Sequence, residues 1–138
     1  MLGEQIIHDE RGKIIGTRVL PSKPGQGPKM EQTFQTTGKI LGIDFNNTGT
    51  LLSIPKSEGV FYVEGQGVLM IEGGEMATWT TQGVGKPTGS GMAAALRGSV
   101  FFQTSSTKLS RLNSMCVVVE ADIDESGNNM SAKLWEWK

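Results

Sequence analysis

The sequence is poor in the residues that most often announce a chemistry. Its 138 residues contain one cysteine, Cys116, and one histidine, His8. A lone cysteine excludes an internal disulfide, and one residue of each kind leaves too few ligands for a zinc site. A nucleophilic triad would have to use His8, and no serine sits on the sharp turn that a hydrolase nucleophile needs. Charge of one sign is also missing. Thirteen basic and 14 acidic residues give a formal net charge of −1, so no bulk attraction to a nucleic-acid backbone is expected. The longest apolar run, residues 115–119, has the length of a strand and not of a membrane span, so no membrane association is expected. Residues 1–10 lack the basic start and apolar core of a secretory leader, which makes a reducing cytoplasm the expected compartment.

Two loop motifs are imitated and then broken. Gly85, Lys86, Pro87 and Thr88 resemble a phosphate loop, but Pro87 stands where Ser or Thr is required and Thr80 where the first glycine belongs. Asp122, Asp124, Ser126 and Gly127 resemble the start of a calcium loop, but its twelfth position is Lys133 and not Glu. The first reads as a strand end and turn, the second as a hairpin turn. No cofactor is expected.

What the chain has is glycine, 19 residues of it, among β-branched and aromatic segments with little helical periodicity. About eight strands are expected. A first hairpin pairs residues 4–8 with 13–20 through Asp9, Glu10, Arg11 and Gly12, and residues 21–28, with three of the five prolines, form a loop. Strands follow at 29–45, bent or broken at Gly38 or Gly42, at 50–54 and at 60–72, with turns at 46–49 and 55–59. Further strands are expected at 76–86, 97–107, 109–123 and 130–137, and a single helical turn at 92–96. Connections after Gly49 are short, which enforces antiparallel neighbours because a parallel pair needs a long crossover. No composition shift divides the chain, so residues 1–138 are read as one domain.

Alternation indicates how the sheet curves. Phe61, Val63, Leu69 and Ile71 share a face with Gly65 and Gly67, and Trp79 shares one with Gly83 and Gly85, over which its ring could lie. Glycine at alternate positions strips side chains from one face and lets a strand coil, which favours a closed barrel over a two-sheet sandwich. The expected fold class is therefore all-β, an eight-stranded antiparallel meander barrel.

The stretch from Gly59 to Phe102 carries a recognisable rhythm: Gly65-Gln66-Gly67, Gly73-Gly74-Glu75, Thr78-Trp79-Thr80, Gly83-Val84-Gly85, and Leu96-Arg97-Gly98 leading to Phe101. It resembles a family of small bacterial proteins of unknown function whose barrel is similar to that of plant allene oxide cyclase. The resemblance implies an allene-oxide-cyclase-like meander barrel, oligomeric, with an interior able to hold a small molecule. Its motifs are glycine spacings, which specify a fold and not a reaction, so none of the cyclase's functional residues carries over.

Candidate site residues come from polar side chains on otherwise apolar strand faces. Arg111 and Asn113 fall among Leu109, Met115, Val117, Val119, Ala121 and Ile123, and Glu136 is a third such intrusion. Buried unpaired, each would be costly. They either lie at a strand end in water, pair with each other, or hold the polar head of an apolar or amphipathic ligand, with Arg97 and Glu72 joining from neighbouring strands. An enzyme would further need a titratable group in the cavity, for which Glu64, Glu72, Glu136 and Tyr62 are candidates. Cys116, inside an apolar run, reads as a buried structural thiol. Trp135 and Trp137 share a face of the last strand, and on an outer wall they would signal a homo-oligomer interface. Three functions are compatible with this reading: a non-enzymatic barrel binding a small molecule in its mouth, an isomerase- or cyclase-type enzyme, or a structural homo-oligomer without ligand.

Overall fold

The computed structural model describes all 138 residues. Eight strands run in chain order as a meander: β1 Leu2–Leu20, β2 Lys29–Ile40, β3 Ile43–Ser57, β4 Val60–Ile71, β5 Met76–Pro87, β6 Ala94–Thr104, β7 Val117–Ile123 and β8 Met130–Trp137. Every neighbouring pair is antiparallel, and β8 pairs back onto β1, which closes the barrel. Closure gives every strand a neighbour on both sides, although residues 13–20 of β1 run beyond β8 and pair with β2 alone. The only helix, a 3-10 turn at Ser110–Ser114 between β6 and β7, is not long and apolar enough to cross a membrane.

The expected first hairpin is instead one long strand. Both halves of β1 pair with β2, from Ile7 opposite Ile40 to Leu20 opposite Lys29. The turn-forming residues Asp9 to Gly12 are absorbed as a bulge: the register shifts between His8 and Arg11, and Asp9 takes a left-handed φ of 56°. The bulge decides which side chains of β1 face the interior. Ile7 lies opposite the inward Leu134, and strict alternation from it would send Glu10 outward. The extra residue reverses the phase, so Glu10 points in and is 5% exposed.

The strand expected at 29–45 breaks at Gly42, one of the two positions expected, where Leu41 and Gly42 both take a positive φ. Three further boundaries differ from expectation. The expected turn at 46–49 is the middle of β3. Inward-facing Asn47 finds polar partners inside the barrel, so its turn propensity is outweighed by the ladder. The expected helical turn at 92–96 is a turn leading into β6. Conversely, the first half of the expected strand 109–123 is the 3-10 turn and its flanks, where Leu109, Leu112 and Met115 are buried as a plug.

The middle of the barrel is organised by one row across five strands. Phe34 lies opposite Gly49, Gly49 opposite Gly67, Gly67 opposite Trp79, and Trp79 opposite Phe102. The Trp79 ring lies over Gly49 and Gly67, not over Gly83 and Gly85, because this register sets the two bare positions beside it. A Cβ on Gly49 would sit 2.5 Å from the ring, and one on Gly67 would also strike it. Phe34 closes over the same space, with its centroid 6.0 Å from that of Trp79 and the planes tilted by 34°. Gly85 is instead covered by the Phe61 ring.

Gly67→Ala should therefore destabilise the barrel by about 1–3 kcal/mol in urea unfolding, as overpacking does. Part of the loss should return in the double variant Gly67→Ala/Trp79→Phe, because the smaller ring vacates the space. Additive losses would show that ring and glycine are not in contact.

Candidate functional site

The two ends of the barrel differ. One is shut by the plug between β6 and β7, held in place by Asn113. Its side chain accepts from the Thr104 backbone N–H (2.8 Å) and donates to the Thr104 carbonyl (3.0 Å), which replaces a pair of ladder bonds where β6 ends. The other end opens into a cleft of about 690 Å³ bordered by residues 25–28, the β3–β4 turn and the connection before β6. Met30, Gln32, Ser53, Pro55, Phe61 and Met92 line it, a wall both apolar and polar. Leu51 and Leu96 form its floor and also line an inner cavity of about 80 Å³.

The inner cavity is lined mainly by apolar side chains, with Thr81, Gln82 and Arg97 on the β5–β6 side and, from the other strands, Glu10 and Asn47, which belong to one chain of hydrogen bonds. The Trp79 Nε1–H donates to Asn47 Oδ1 at 2.7 Å, Asn47 Nδ2 donates to Thr36 Oγ1 at 3.2 Å, and Thr36 Oγ1 donates to Glu10 Oε2 at 2.6 Å. Each link fixes the next, because an indole only donates and so orients the Asn47 amide. These four side chains arrive from β5, β3, β2 and the bulge of β1. Glu10 Oε1 has no hydrogen-bond partner in the chain, and Glu10 borders the cavity. Burial pushes the Glu10 carboxyl above its ordinary value, while the Thr36 hydrogen bond and the nearby Asn47 amide work in the opposite direction and are outweighed.

The residues singled out from sequence do not gather at this site. Arg111 and Asn113 lie in the 3-10 turn rather than on a strand, so neither projects into the barrel. Arg111 Nη2 pairs with Glu4 Oε2 at 2.9 Å, both more than half exposed, and half-buried Glu136 adds favourable charge near the guanidinium from the end of β8. Glu72 is exposed in the β4–β5 turn, also at the plugged end. Arg97 borders the cavity from the outward side of β6, with its guanidinium half exposed, 2.8 Å from the Leu96 carbonyl and 3.8 Å from Asp122. Tyr62 donates to Glu64 at 3.1 Å, a pair remote from the polar chain. Trp135 and Trp137 face outward opposite the inward Leu134, and Trp137 is 56% exposed.

Glu10, Thr36 and Asn47 were not legible as a site. Glu10 and Asn47 lie in segments whose composition reads as turns. The signal that could have found Asn47 is the alternation Phe45, Asn47, Gly49, Leu51, Ser53, which continues unbroken through the supposed turn.

No protein-family model and no curated protein matches this chain. Solved structures do. It is similar to a protein of unknown function from Clostridium acetobutylicum, with a TM-score of 0.77, 12% identity and 98% of each chain covered. A conserved protein of unknown function from Rhodopseudomonas palustris gives a TM-score of 0.77 at 12% identity over 99% of each chain. A beta-barrel like protein from Acinetobacter baumannii gives 0.75 at 15% identity, covering 98% of this chain and 96% of that one. At these identities the likeness is one of fold alone: a β-barrel shared with these bacterial proteins over nearly the full length.

Glu10 predicts a pH dependence of stability. The unfolded carboxyl titrates near 4.5 and the folded one higher, so between those values the folded state binds more protons and stability falls as pH rises. The contribution is complete below 4.5, and each unit separating the two values is worth about 1.4 kcal/mol. Urea unfolding from pH 4 upward should show this decline in the wild type and not in Glu10→Gln. The difference between the two isolates Glu10 from Glu4 and Asp124, whose carboxyls are held below their ordinary values by Arg111 and Asn129 and titrate in the opposite sense. Equal slopes would place Glu10 in water.

Proposed function

We propose that the protein is a binding barrel that takes a small, partly apolar molecule through its open end. The observation that carries this reading is the asymmetry of the barrel: a plug of buried Leu109, Leu112 and Met115 at one end, and at the other a cleft of about 690 Å³ that continues past Leu51 and Leu96 toward an inner cavity. Ligand pockets of soluble proteins are concave, mainly apolar and of this size, with a few polar groups to orient the ligand. The wall offers Gln32 and Ser53 among Met30, Phe61 and Met92, whose thioethers adapt to irregular shapes.

A second reading, an isomerase- or cyclase-type enzyme in keeping with the resemblance to an allene-oxide-cyclase-like barrel, is favoured by one observation. Glu10 is a titratable group in a mainly apolar cavity, where preorganised polar groups stabilise developing charge far better than in water.

The neutral fluorophore N-phenyl-1-naphthylamine should bind the wild type in a one-to-one complex with enhanced emission. Leu96→Trp, which fills the floor of the cleft, should weaken it at least tenfold, and Arg111→Leu at the plugged end should leave it unchanged. Absence of binding, or equal binding by the Leu96→Trp variant, would overturn the mouth as the site.

A further inference from the structure

The inner cavity narrows the class of ligand, on the footing that the barrel is a binding module. We propose that it is a head-group subsite for an uncharged ligand carrying a hydrogen-bond acceptor, a ketone or ester carbonyl, to which Glu10 Oε1 donates.

The direction of the polar chain carries the inference. Indole, amide and hydroxyl hand their donors one to the next, and the Thr36 proton is delivered to Glu10 Oε2. At 5% exposure and with no ion-pair partner, the neutral form of the Glu10 carboxyl is the favoured one, and with Oε2 occupied as an acceptor its proton falls to Oε1, the oxygen that Thr36 does not reach. Of the inward polar groups around the cavity, the Trp79 N–H is committed to Asn47 and the Thr81 hydroxyl to the Ser99 carbonyl at 2.7 Å, while Gln82 borders it from the exposed, outward face of β5. A buried donor left unmatched is costly, and a ligand acceptor removes that cost.

The surroundings select against charge. The cavity-lining neighbours from β2, β3 and β8 are Phe34, Asn47, Leu51, Met130, Ala132 and Leu134, none of them titratable. Arg97, the only cation bordering the cavity, has its guanidinium at the Leu96 carbonyl and Asp122. A carboxylate head would meet a carboxyl with no cation to balance it. An ammonium head would bring three donors to a cavity with few side-chain acceptors for them, and the attraction of an ionised Glu10 would have to repay the desolvation of both charges.

Size fixes how the ligand lies. A volume of about 80 Å³ is roughly half that of an apolar cavity that admits benzene, so it holds a head of about four non-hydrogen atoms. The rest of the molecule must pass between Leu51 and Leu96 into the cleft.

The test is displacement of N-phenyl-1-naphthylamine at pH 6 by four nine-carbon compounds: nonan-2-one, nonanoate, nonylamine and nonane. The ketone should compete at least tenfold better than the other three. Glu10→Gln, which keeps an N–H donor, should hold the ketone within threefold of wild type, and Glu10→Leu should lose about tenfold of the ketone's advantage over nonane. The infrared carbonyl stretch of bound nonan-2-one should lie below its value in hexane for the wild type, a reading that stands if the leucine variant does not fold. A fluorophore that does not bind overturns the mouth as a binding site. A fluorophore that binds, with no advantage for the ketone, a preference for the amine or the carboxylate, or an unshifted carbonyl stretch, overturns the subsite alone.

Discussion

The indole of Trp79 is the constraint on which the interior depends. It occupies the middle of the barrel only because Gly67 on the adjacent β4 and Gly49 on β3 beyond it present no side chain beneath it. Phe34 and Phe102 complete the row, so the centre is packed by rings over bare backbone. Dense packing of this kind tolerates neither added methyls nor lost ones. The ring also divides function from scaffold, because its apolar surface fills space while its N–H anchors Asn47, and through Asn47 and Thr36 orients a carboxyl on the far strand.

Glycine serves a second purpose at the sharply coiled parts of the wall. A Cβ on Gly65, Gly83 or Gly98 would strike the backbone of the adjacent strand, which shows how closely the strands approach where the sheet turns inward. That curvature lets eight strands close. It also leaves the paired positions Gly83 and Gly98 without side chains beside the inner cavity, so the feature that closes the barrel contributes to the space inside it.

Placing Glu10 in that space works against stability. A carboxyl so buried is destabilised in its charged form, and the barrel has no cation there to offset it. An apolar side chain would pack the same position without that burden, and strongly perturbed carboxyls in cavities are found disproportionately at functional sites. The salt bridge of Arg111 with Glu4 is the contrasting case: both groups lie in water, titrate in the direction that favours folding, and contribute little.

How much could be read without the fold divides along a physical line. Short-range information settled the strand-rich architecture: alternating apolar residues, glycine at every second position and short connections leave an antiparallel meander as the natural outcome, and the strands β4, β5 and β8 fall close to where they are expected. Where local preference and cross-strand pairing disagreed, pairing won. Asp9 to Gly12 became a bulge, the segment holding Asn47 became the heart of β3, and Leu109 to Met115 became a plug. The site was illegible for the same reason. Whether a polar side chain enters a barrel depends on register and on the phase of alternation, and one extra residue at Asp9 reverses that phase. Composition and periodicity by themselves therefore determined that this chain builds a glycine-rich barrel. Only the tertiary structure, by summing pairing along whole strands, decided that Glu10 and not Arg111 or Asn113 faces its interior.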